Sequence, residues 1–76
     1  MKFKGTEYKL NQLIEVIYEN EDGYLAISLG RLYDYDVYKY IAIDYSSDFW
    51  ELERTIKIPI DKVKNIRKVN YNPMWR

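Results

Sequence analysis

The chain contains neither cysteine nor histidine. Without cysteine there is no disulfide framework, thiolate nucleophile or thiolate zinc site, and without histidine the commonest general base and metal ligand is missing. Glycine and proline are sparse, at three and two residues, and neither a Gly-rich phosphate loop nor a G-x-S-x-G elbow occurs. Uncharged apolar runs are only a few residues long, far short of the roughly 20 needed to span a bilayer, and the first residues lack the apolar stretch of a signal peptide. These absences predict a soluble, cytoplasmic, non-enzymatic protein with no cofactor, no metal and no membrane partner. The chemistry left is carboxylate-based. Asp34 with Asp36, and Glu51 with Glu53, sit at i, i+2 and share a strand face, where paired carboxylates can hold Mg²⁺ or divide acid and base roles. A solvated turn or strand edge explains both pairs more simply.

What is present fits one small domain: 76 residues, 47% hydrophobic, 17% aromatic and 32% charged, too short for two cores. We place the domain at residues 1–70 and read 71–76 as an extended tail. Lysine, isoleucine, asparagine and tyrosine make up 31 of the 76 residues, and their A- and T-rich codons suit an AT-rich bacterium or one of its phages. Formal net charge is zero but unevenly spread. Ten acids lie between Glu15 and Glu53 against Arg31 and Lys39, whereas seven bases follow from Arg54 to Arg76 against Asp61. Such asymmetry steers association and can set the polarity of self-assembly, although opposed faces can also neutralise each other within one molecule.

Asn20-Glu21-Asp22-Gly23 separates two apolar runs, Leu13 to Tyr18 and Tyr24 to Leu29, and Gly23 can take the positive φ that closes a hairpin. In the second run Leu25, Ile27 and Leu29 alternate with Ala26 and Ser28, so three aliphatic side chains share a face, and Gly30 marks a bulge or bend. Asp34-Tyr35-Asp36 reads as the next turn. After it Val37, Lys39, Ile41 and Ile43 face one way, and Tyr38, Tyr40, Ala42 and Asp44 the other. Ser46-Ser47-Asp48 turns the chain again. From Trp50 to Ile58 the alternation is cleanest, with Trp50, Leu52, Ile56 and Ile58 inward and only Arg54 out of pattern. Pro59 lacks the amide a central strand needs, so Pro59-Ile60-Asp61 reads as a tight or 3₁₀ turn, from which Val63, Ile66 and Val69 pack back as a short helix or last strand.

The expected strands are 13–19, 24–33, 37–45, 50–58 and 63–69: a mainly β, five-stranded antiparallel meander, curled into a small barrel because closure removes exposed edges. A rival exists for the first strand. Leu10, Leu13, Ile14, Ile17 and Tyr18 also match helical spacing, with Thr6 able to cap a helix from Glu7, which would make residues 7–20 helical and the fold α+β. The β-branched residues and the turn chemistry that follows favour the strand.

The stretch from Gly23 to Gly30-Arg31-Leu32 and Tyr35-Asp36, the apolar strand after it, and the run Thr55-Ile56-Lys57-Ile58-Pro59-Ile60-Asp61-Lys62-Val63-Lys64-Asn65-Ile66 together resemble the Sm-like and YolD-like small SH3-type barrels. In those, a Gly-containing bent strand precedes an Asp turn, and an Ile-Pro turn leads to the last strand. The resemblance covers residues 13 to 69 and implies the fold. Sm-like proteins bind uridine-rich RNA through an Asn after the Asp turn and an Arg-Gly pair before the last strand. Here Tyr38 to Tyr40 and Ile58-Pro59 stand at those places, so that RNA pocket does not carry over.

Thirteen aromatic residues, nine of them tyrosine, exceed what so small a core encloses, so several must be exposed. Tyr33, Asp34, Tyr35, Asp36, Tyr38, Tyr40 and Tyr45 form the expected partner-binding set. Tyrosines anchor protein interfaces and also stack on bases. With Asp34, Asp36, Asp44 and Asp48 nearby and only Arg31 and Lys39 opposing them, this face repels phosphate and favours a basic protein partner. The function expected is a stoichiometric inhibitor or adaptor of the kind phages deploy against host defence. The alternative is an oligomeric Sm-like barrel that binds a nucleotide or short nucleic acid, with Arg31, Arg54, Lys64, Arg67 and Lys68 on phosphates. Either way a homo-oligomer is expected from the small core and the complementary acidic and basic segments.

Overall fold

A computed structural model describes residues 1–45 and 55–69. Among them the protein is mainly β. A small hairpin joins β1 (Lys2–Phe3) and β2 (Thr6–Glu7), and β3 (Leu13–Glu19), β4 (Leu25–Asp36), β5 (Tyr40–Asp44), β6 (Thr55–Pro59) and β7 (Val63–Lys68) build one antiparallel sheet, with a 3₁₀ turn at Ile60–Lys62. The strand order is β6-β5-β4-β3-β7. The first four strands of the sheet form a meander, but β7 does not pair with the strand before it; it returns to the far side of β3. The 3₁₀ turn makes that reversal where Pro59 ends β6, a residue whose missing N–H suits a strand end.

Residues 13–19 are a strand, so the helical alternative is ruled out. β3 is paired on both sides, Val16 lying between Ser28 of β4 and Ile66 of β7, and Ile14 and Val16 are fully buried. The helical spacing was a coincidence of a run apolar on both faces. The loop after β3 is built as expected: the Asn20 side-chain oxygen accepts from the Asp22 and Tyr24 amides at 3.0 Å each, and Gly23 has φ +84°. The β1–β2 hairpin was not anticipated. Its Lys4-Gly5 turn has positive φ at both residues, the conformation of a two-residue hairpin turn.

The turn expected at Asp34-Tyr35-Asp36 is displaced. Those residues are strand, and the chain reverses at 37–39, where the Asp36 carboxylate accepts the Tyr38 amide at 3.0 Å and the Lys39 amide donates to the Asp36 carbonyl at 2.8 Å. An Asp favours the first position of such a turn, so Asp36 opens the turn and the three-residue cluster does not form it. β4 therefore runs to Asp36 instead of ending at 33, and β5 starts at Tyr40 instead of 37. A register shift between Leu32 and Asp34 opposite β5 places an irregularity at Tyr33.

Tyr8, Ile14, Val16, Leu32, Ile41, Ile43, Ile58, Val63 and Ile66 form the core, with Phe3, Tyr18, Tyr35, Ile56 and Ile60 packed against it. Tyr8 is buried, and its hydroxyl donates to the Ile66 carbonyl at 2.9 Å. Of the expected inward stripe, Ile58 is buried and Ile56 partly buried; Trp50, Leu52 and Arg54 lie outside the described residues, as does the tail at 71–76.

Gly30 divides β4. A Cβ there would stand 2.5 Å from the Asp44 carbonyl oxygen and from an Ile43 methyl, so β5 can cross this point only because residue 30 has no side chain. Before it the inward residues are small, Ala26 and Ser28, and Tyr18 fills the space, its hydroxyl 3.4 Å from that of Ser28. Consequently the aliphatic face Leu25, Ile27 and Leu29 points outward, with Leu25 69% and Ile27 64% exposed.

Candidate functional site

The outer face of β4, β5 and β6 carries rows of paired residues: Asp34, Ala42 and Lys57 in one, Asp36, Tyr40 and Pro59 in the next. Period-two alternation puts Asp34, Lys57, Asp36 and Tyr40 on the side away from Ile41 and Ile43, with Ala42 buried among them. Tyr40 ties the face together. Its hydroxyl donates to the Asp34 carboxylate at 2.9 Å, and the Lys57 ammonium stands 4.7 Å from its ring centroid, within cation–π range. The hydrogen bond to Asp34 holds the Tyr40 phenol above its ordinary value of 10.0, with smaller contributions from desolvation and from the Asp34 and Asp36 charges.

The seven residues expected to form one partner-binding face are not all together. Asp34, Asp36 and Tyr40 share the outer face. Tyr38 stands at the tip of the 37–39 turn and is 87% exposed, and Tyr33 is half exposed at the irregularity. Tyr35 turns inward and packs on the core. Tyr45 is at the other end of β5, beside Ile27, Leu29 and Ile56.

A second feature adjoins the face. An open cleft of about 470 Å³ lies between the β3–β4 loop and β6. Its floor is Tyr18, Ile56 and Ile58; one lip is Glu19, Asn20, Glu21 and Asp22, and the other is Lys57, Pro59 and Lys62. Lys57 and Pro59 belong to both surfaces, lining the cleft while flanking Tyr40. The 3₁₀ turn is pinned to the Tyr38 turn by the Ile60 amide donating to the Lys39 carbonyl at 2.9 Å. The cleft was missed in the sequence because its two lips are far apart along the chain. The only local signal was the acidic Glu21-Asp22 pair in a loop read purely as a turn.

Of the residues expected on phosphates, Arg67 bonds Glu15 at 2.8 Å and Lys64 approaches Glu19 at 3.8 Å, both across the β3–β7 pairing. The Lys64 carbonyl also accepts from the Lys4 ammonium at 2.8 Å. Lys68 stands 5.8 Å from the Tyr8 ring centroid, and Arg31 donates to the Asn11 carbonyl at 3.2 Å. Arg54 lies outside the described residues. Two of the basic groups of β7 are thus matched by acids of β3, which weakens the field available to a phosphate ligand. Among the described residues no group of three or more carboxylates is placed to hold a metal ion, and no helix is long and apolar enough to cross a membrane. Compared with known protein families, curated proteins and solved structures, the chain matches none.

Proposed function

We propose that the chain is a non-enzymatic binding module, a small barrel of the SH3 and Sm-like type, that docks a basic, partly apolar segment of another protein. Three features support the barrel: a long β4 closely approached by β5 at Gly30, a 3₁₀ turn before the last strand, and the return of β7 to β3. One observation carries the binding reading. The cleft with its apolar floor and acidic lip is continuous, through Lys57 and Pro59, with the exposed Tyr38, the half-buried Tyr40 and with Asp34 and Asp36. An apolar side chain of the partner fills the cleft, its Lys or Arg neighbours meet Glu21, Asp22 and the Asp34–Asp36 edge, and Tyr38 supplies an anchor of low conformational cost. A stoichiometric inhibitor or adaptor, as expected of a small AT-rich phage gene product, acts through such a surface.

The test is an NMR titration of the protein with Lys- and Arg-containing apolar peptides and, in parallel, with oligouridine. Peptide-induced shifts at Glu21, Asp22, Tyr38, Tyr40 and Lys57, and binding weakened roughly tenfold by Tyr38→Ala with Tyr40→Ala, support the proposal. Oligouridine binding that falls steeply with salt and tightens on Asp34→Lys with Asp36→Lys overturns it in favour of a nucleic acid.

A further inference from the structure

The two lips of the cleft carry opposite charge. Glu19, Glu21 and Asp22 stand on the β3–β4 loop side, Lys57 and Lys62 on β6 and the 3₁₀ turn, and the apolar floor lies between them. Most of this charge is uncommitted. Glu19 reaches the exposed Lys64 at 3.8 Å, and Lys57 faces the uncharged Tyr40 ring. Among the described residues no ion pair engages Glu21, Asp22, Lys57 or Lys62. Each lip is braced on its own side of the gap. The Asn20 side chain holds the loop through the Asp22 and Tyr24 amides, and the Ile60 amide holds the 3₁₀ turn to the Lys39 carbonyl. Opposite charges therefore face each other across an apolar floor without closing on one another.

A ligand charged with one sign throughout gains at one lip and loses at the other. A wholly basic segment is repelled by Lys57 and Lys62, and a wholly acidic one by Glu21 and Asp22. An apolar side chain filling the cleft also displaces water, so the charges on either side are less screened. The order that gains at both lips is a base at the loop, an apolar residue in the cleft and an acid at β6. In an extended chain residues two apart share a face and stand about 6–7 Å from each other, so a base-x-apolar-x-acid segment presents all three groups to the cleft. We propose that the cleft selects a protein segment of this mixed charge, with Lys57 and Lys62 as the residues that reject an all-basic one. Repulsion of the wrong partner is as much a source of specificity as attraction of the right one. This rests on the docking function proposed above and narrows it: the partner remains basic toward the loop and toward Asp34 and Asp36, but carries an acid where it passes Lys57 and Lys62.

NMR titration of the full chain with terminally capped peptides tests the selection, using Arg-Ala-Leu-Ala-Glu, the same residues in reverse order, and Arg-Ala-Leu-Ala-Arg. One of the two mixed-charge peptides should bind about tenfold more tightly than the all-basic one, with shifts at both Asp22 and Lys62. On Lys57→Glu with Lys62→Glu the all-basic peptide should become the tighter ligand. Lys62→Glu alone, which leaves the Lys57 contact with Tyr40 in place, should move the preference the same way but less far. An all-basic peptide that binds the wild type as well as either mixed one, or a preference that the lysine substitutions do not move, overturns the proposal and leaves the docking function standing. Absence of shifts at Glu21, Asp22 and Tyr38 with every peptide overturns both. Shifts at the lips that grow with protein concentration in the absence of peptide assign the cleft to a second copy of the chain and overturn the proposal as well.

Discussion

The two halves of β4 are one continuous strand with opposite surroundings. Beyond Gly30, Leu32 is buried and Tyr35 packs on the core while Asp34 and Asp36 lie on the outer face, bonded to Tyr40 or to the turn. Before Gly30, small residues face the core and large aliphatic ones face outward. Alternation runs through both halves, shifted by one residue at the Tyr33 irregularity. What differs is the neighbour: β5 runs alongside the second half and leaves the first at Gly30. Strand alternation therefore identifies two faces, and the strand that crosses decides which of them is the core.

The largest expected effect comes from removing the crossing point. Gly30→Val brings side-chain atoms against the Asp44 carbonyl and Ile43, in backbone that cannot yield without unpairing β4 from β5. We expect a loss of about 3 kcal/mol or more, most of the roughly 5 kcal/mol available to so small a domain, read as loss of the cooperative melting transition. A stable, fully folded variant would break the contrast between the halves.

Next in size is a direct comparison of one aliphatic residue from each half. Leu32→Ala removes a fully buried side chain and should cost about 3 kcal/mol. Ile27→Ala removes an exposed one and should change monomer stability by about 0.5 kcal/mol or less. Urea denaturation at low concentration keeps self-association from contributing. Equal losses would mean that Ile27 is buried in the free monomer.

The smallest effect sharpens the outer face of the second half. Ultraviolet titration of tyrosinate, followed at Tyr40, should show it ionising above 10.0, and Asp34→Asn should lower its midpoint. Because the folded-state value is raised, the Asp34–Tyr40 bond stabilises the fold below the unfolded tyrosine value and is lost as pH rises through the folded one. A midpoint unmoved by Asp34→Asn would detach Tyr40 from Asp34.

Much of this was legible in the residues. The strands at 13–19 and 63–69, the Asn20–Gly23 loop and the turn after Pro59 follow from local chemistry that tertiary structure does not override. Gly30, expected as a bulge or bend, instead lets β5 approach closely while the β3–β4 register runs through it unbroken. The Asp34–Asp36 turn was misplaced because an Asp can open a turn or stand on a solvated strand face, and the Tyr40 hydroxyl that accommodates Asp34 comes from the next strand. For Leu25, Ile27 and Leu29 the alternation showed a shared face but not its side, which depends on β5. Likewise the tyrosine cluster looked single along the chain, whereas the bulge at Tyr33 and the inward Tyr35 divide it. The cleft needed Ile56, Ile58 and Pro59 brought to the β3–β4 loop, and no local pattern encodes that approach.

Residue-by-residue amide hydrogen exchange tests most directly whether β4 pairs with β3 up to Arg31 and with β5 from there to Asp36. The amides of Ala26, Ser28 and Gly30, directed toward β3, should exchange slowly. Beyond Leu32 the slow amides should be those directed to β5, the strand that pairs with β4 there. Quick exchange at Ala26, Ser28 and Gly30 would contradict the account, because those amides are the ones directed to β3.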